Sequence, residues 1–141
     1  MKTTKILVQK SETGLSEDNK AKLKSLKIYK DKKHFKFSNG WVDLAYELGK
    51  NIEEVCKLAN CELPKIEAMY NKYNTLRVDY HFTSPVPKIV ETLIDSLIYV
   101  TEDKSERICE YCGKSCDIEI TEKNNHYINV CEKCFDRKKR D

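Results

Sequence analysis

The sequence predicts an α+β protein, with a mainly helical N-terminal domain over residues 1–102 and a small cysteine-rich module over residues 103–141. Three observations carry that expectation. Apolar residues recur at helical spacing between Leu23 and Ile98, a few short stretches alternate with period two, and two C-x-x-C pairs stand close together near the C-terminus. A chain of 141 residues has room for one ordinary domain, or for a core of about 100 residues with a metal-held appendage.

Lys5 to Gln9 reads as a short strand. Ser16 is placed to N-cap a lysine-rich helix through Ala21, Leu23, Leu26 and Ile28, with Asp18 favourably set in its first turn. The stretch Asp31 to Phe37 alternates at its end and stops at Ser38-Asn39-Gly40, a turn signal. Trp41, Leu44, Ala45 and Leu48 fall at helical spacing in a segment Trp41 to Lys50 that ends at Gly49 or soon after, and a further helical pattern covers Ile52 to Ala59. Asn60-Cys61-Glu62 interrupts it, and Leu63-Pro64 opens a third helix through Ile66, Met69, Tyr70 and Tyr73, because proline is tolerated in a first turn.

Leu76 to Phe82 alternates as a half-buried strand. After Ser84-Pro85-Val86-Pro87, the segment Lys88 to Val100 carries Ile89, Val90, Leu93, Ile94, Leu97 and Ile98 as a broad apolar stripe. Two uses suit that stripe: completing the core, or forming a homodimer. Thr101 to Arg107 is polar and reads as the linker to the cysteine module.

In that module Cys109 and Cys112 form one C-x-x-C pair and Cys131 and Cys134 the other, separated by 18 residues. This is the spacing of structural zinc sites, where four thiolates hold one Zn²⁺ tetrahedrally with Zn–S near about 2.3 Å. Gly113 follows the second cysteine, where a tight knuckle asks for positive φ. Between the pairs, Asp117 to Thr121 and Tyr127 to Val130 alternate around a Lys123-Asn124-Asn125 turn, a hairpin signature. Four cysteines leave no open position for a catalytic water, so the expected cofactor is a single structural Zn²⁺. Cys116 and His126 are the spare ligand types nearby, read as a small buried residue and a hairpin surface residue.

The run C-x-x-C-G-K-S, followed by a second pair preceded by an aromatic and a β-branched residue, resembles the treble-clef zinc-binding N-terminal domain of the Clp unfoldase family. The resemblance spans residues 109–134 and implies a treble-clef or zinc-ribbon fold with those four ligands, in a domain type that dimerises and docks partners. Nothing in the chain resembles the ATPase domain of that family.

The middle of the chain suits a helix-turn-helix in either of two exclusive registers. In one, Ala45 is the small crossing residue, Gly49 the turn, and Val55 and Leu58 the locks. In the other, Cys56 is small, Asn60 turns, and Ile66 and Met69 lock. The second is preferred, because residues 51–71, NIEEVCKLANCELPKIEAMYN, are similar to the N-terminal motif of lac repressor family regulators. Asn60 stands where that family has glycine, Cys61 where it has valine, and the serine and threonine phosphate contacts are missing. In this register Lys65, Glu67, Ala68, Asn71 and Lys72 would face a major groove, with Lys72 and Arg77 toward phosphate.

Composition narrows the function. With 26 basic and 23 acidic residues, a net charge of +3, there is no strong global field for nucleic acid, although Lys20 to Lys36 and Arg137 to Arg140 are locally basic. Ile6-Leu7-Val8 is far short of a signal-peptide core and no apolar run reaches membrane length, so a soluble cytoplasmic protein with no membrane partner is expected. Seven cysteines without a secretory signal fit metal better than disulfides. No nucleophile–base pair or phosphate-cradling glycine loop stands out, and no enzyme is expected. The sequence therefore predicts a small zinc-containing DNA-binding transcriptional regulator. The alternative is a non-enzymatic protein-binding modulator, an adaptor or inhibitor that docks through its helical domain and zinc module.

Overall fold

The computed structural model describes residues 14–31, 35–73, 75–114, 118–123 and 126–131. The fold is α+β: helix α1 (Glu17–Lys24), helix α2 (Val42–Ala59), the hairpin of β1 (Lys65–Lys72) and β2 (Thr75–His81), helix α3 (Lys88–Ser105), and a second hairpin of β3 (Ile118–Lys123) and β4 (His126–Cys131). The strand read at Lys5 to Gln9 lies outside the described residues.

Helix α1 starts where its cap requires: the Ser16 hydroxyl accepts from the Asn19 amide at 3.3 Å, and Glu17 and Asp18 sit in the positive first turn. It is shorter than its apolar pattern suggested, giving way after Ser25 to a 3₁₀ turn at Lys27–Tyr29 that buries Ile28 and Tyr29. Residues 35–37 then run beside β1, where the Lys36 amide donates to Met69 O and the Asn71 amide to Lys36 O.

Two expected helices are one. Helix α2 is continuous through Gly49, which does not end it. A Cβ at that position would stand 2.6 Å from Tyr29 Cε2, so the glycine admits the buried Tyr29 ring, whose hydroxyl donates to Ala45 O at 2.7 Å. The helix stops at Asn60, left-handed at φ 55, as the sequence indicates for that residue.

The segment read as a third helix is a strand. β1 pairs antiparallel with β2, Met69 opposite Val78 and Lys72 opposite Thr75, with a bulge between Ile66 and Ala68. The bulge explains the misreading. An extra residue flips the alternation, so Ile66 and Met69, three apart, both point into the core, and a strand acquires helical spacing. With 65–72 extended and α2 unbroken, neither helix-turn-helix register exists among the described residues.

Strand β2 follows its alternation, and the expected C-terminal hairpin pairs in register Ile118 to Cys131 and Lys123 to His126. Helix α3, however, runs through the expected linker as far as Ser105. Its core face is Val90, Ile94, Ile98 and Thr101, and the Ser105 hydroxyl accepts from the Leu76 amide at 2.9 Å, tying the last turn to β2. Trp41, Leu23, Ile52, Leu76 and Ile94 are fully buried at the centre.

Candidate functional site

The first cysteine pair sits in a closed turn. The Gly113 amide donates to Cys109 O at 2.9 Å and the Cys109 amide to Lys114 O at 3.0 Å, while Gly113 adopts φ 80. A turn of this kind suits two cysteines three positions apart to a shared metal, and the residue at the strained position is the one without a Cβ. Cys109 is buried and Cys112 exposed. Cys131 closes β4, and the hairpin register returns it opposite Ile118, shortly after Cys112 in the chain. Cys134 and Cys116 lie outside the described residues, as do Arg137 to Arg140. Among the described residues no three His, Cys, Asp or Glu side chains are gathered for a metal. The turn is compatible with half of a Zn(Cys)₄ centre, in which Cys109 and Cys112 would be two of the ligands.

The knuckle is seated on the helical core rather than hung from it. The Gly40 amide donates to Glu110 O at 2.6 Å, the Trp41 indole N–H donates to Ile108 O at 3.0 Å, and a Cβ on Gly40 would collide with the Cys109 and Glu110 carbonyls. Glu110, between the two cysteines, is buried. Its carboxylate accepts from the Ser38 amide at 3.1 Å and from Asn71 Nδ2 at 2.7 Å. Burial pushes its pKa up to about 7, against the downward pull of those hydrogen bonds. A buried carboxylate held by donors 39 and 72 residues away leaves no trace in local sequence pattern, and the sequence reading missed it.

The six residues expected to touch DNA lie on the β1–β2 hairpin and not on a helix. Lys65 and Lys72 are exposed at opposite ends of β1, separated by roughly 23 Å at strand rise. Glu67 lies at the bulge beside His81 Nδ1 at 3.3 Å, and Asn71 is committed to Glu110. Arg77, on β2, donates to Thr75 Oγ1 at 2.6 Å.

A different surface stands out. Ile89, Leu93 and Val100 on α3 are 63%, 44% and 47% exposed. At 100° per residue they fall within about 40° of one another around the helix, away from the buried Val90–Ile94–Ile98 face. Ile89 and Leu93 were legible in the sequence as part of a broad apolar stripe, but only packing decides which half of that stripe the core uses. No helix among the described residues is long and apolar enough to cross a membrane. Compared with known proteins, the chain matches no family model, no curated protein and no solved structure.

Proposed function

We propose that this chain is a non-enzymatic protein-binding modulator whose docking face is the outward side of α3, on a scaffold completed by one structural Zn²⁺ held by Cys109, Cys112, Cys131 and Cys134. The observation that carries it is the exposure of Ile89, Leu93 and Val100 along one side of α3. A helix presents such residues to water at a cost in apolar hydration, and a partner's apolar surface removes it. The bound zinc would supply cohesion, not chemistry: the cysteine segment is too small to fold on an apolar core of its own.

DNA binding, the leading expectation from sequence, would have to use separated lysines instead of a recognition helix. The test separates the two. Tagged full-length chain is exposed to lysate with and without nuclease, beside the Ile89→Glu/Leu93→Glu variant, and duplex DNA is titrated at about 50 mM salt, where phosphate-driven binding is strong. Retention of a defined protein that survives nuclease and is lost in the variant is the expected result. Duplex binding that weakens steeply with salt, with no protein lost in the variant, would overturn the proposal in favour of a regulator.

A further inference from the structure

Two cysteines outside the zinc quartet meet at the end of α2. The helix closes with two backbone bonds, Cys61 N–H to Cys56 O at 3.0 Å and Asn60 N–H to Lys57 O at 3.2 Å, around the left-handed Asn60. This double closure folds the residue after the turn back onto the last helical turn, usually with an apolar contact between the two. Here both positions are cysteine. Cys56 is 1% exposed and Cys61 is half-buried against the same core.

We infer that Cys56 and Cys61 form a redox-active dithiol, converted to an intramolecular disulfide by exchange with a small-molecule disulfide such as glutathione disulfide. Cys61, the sulfur that solvent reaches, gives its proton to water and attacks one sulfur of glutathione disulfide. That S–S bond breaks, one glutathione leaves as thiolate and takes up a proton, and a mixed disulfide remains on Cys61. Cys56 then loses its proton, attacks Cys61 Sγ, and expels the second glutathione. The protein gives up two electrons and two protons, and glutathione disulfide becomes two thiols. The division of labour follows from the surroundings: burial pushes the Cys56 thiol up to about 11, with Cys61 adding to it, so Cys56 suits the resolving step and not the first attack. The bridge would pin the helix stop to the segment entering β1.

The experiment uses the zinc-loaded full chain treated with glutathione disulfide, followed by intact mass and a tryptic map, since cleavage after Lys57 separates the two cysteines. Expected are a loss of two hydrogens, a linked Cys56–Cys61 peptide pair and undiminished zinc. Cys56→Ala should stop at one glutathionyl group on Cys61, and Cys61→Ala should leave Cys56 unmodified. A lasting glutathione adduct in the unsubstituted chain, no change at either cysteine, or oxidation of the zinc cysteines first would each overturn the inference. The unsubstituted chain alone decides the matter if a variant fails to fold.

Discussion

Helices α2 and α3 are both 18 residues long and pack against each other, yet they face water differently. The outward side of α2 is Asp43, Glu47, Lys50, Glu54 and Lys57, with Leu58 its one large exposed apolar residue. On α3 the outward side holds Ile89, Leu93, Tyr99 and Val100. The two also end differently. Helix α2 stops in a self-contained backbone turn at Asn60, whereas α3 leads within a few residues into the cysteine knuckle. One helix meets water with charged side chains; the other meets it with an apolar stripe and runs on into the cysteine turn.

The largest expected effect concerns that end. Structural zinc contributes roughly 10–16 kcal/mol in small zinc peptides, so chelation should unfold the cysteine segment. Because the Trp41 indole donates to Ile108 O, metal removal should shift Trp41 emission. Amides of the last turn of α3 should exchange faster, while those in the C-terminal half of α2 keep their protection. Equal loss in both helices would break the comparison.

Next in size is a pair of neighbours on α3. Ile94→Ala empties a fully buried site and should cost about 2–5 kcal/mol in denaturant unfolding. Leu93→Ala, one residue along on the outward face, should cost less than about 1 kcal/mol. Similar losses would mean that the stripe belongs to the core.

On α2 the sharpest test is Gly49→Ala. Helix propensity favours alanine by about 1 kcal/mol, but its Cβ meets the buried Tyr29 ring, and a net loss of about 1–3 kcal/mol is expected. A stabilised variant would show that the glycine is not there for Tyr29.

Much of this architecture was legible in the sequence, for identifiable reasons. The Ser16 cap, the alternation of β2, the C-terminal hairpin and the glycine after Cys112 are local signals, and each element forms where its own residues demand. The failures were tertiary. Gly49 looked like a terminator because its reason, the Tyr29 ring, lies far along the chain. β1 looked helical because a bulge put Ile66 and Met69 on one face. The supposed linker is helical because Ser105 anchors it to Leu76, and Glu110 could not be foreseen because its partners come from two other segments.

That buried clip gives a smaller effect than the loss expected at Gly49. Glu110→Gln keeps the shape but replaces one acceptor oxygen with a donor, which must face either the Ser38 amide or the Asn71 amide group. A loss of about 1–2 kcal/mol in thermal unfolding is expected. No change would mean that the knuckle is held to the core by Gly40 and Trp41 alone.

The contrast between the two helices is tested most directly by placing a photo-crosslinking side chain at Leu93 of α3 and, separately, at the exposed Glu54 of α2, then irradiating each full-length protein in nuclease-treated lysate. A discrete protein adduct from position 93 that is missing from position 54 is the predicted result. Indistinguishable adducts from the two positions, or none from 93, would contradict α3 as the docking face.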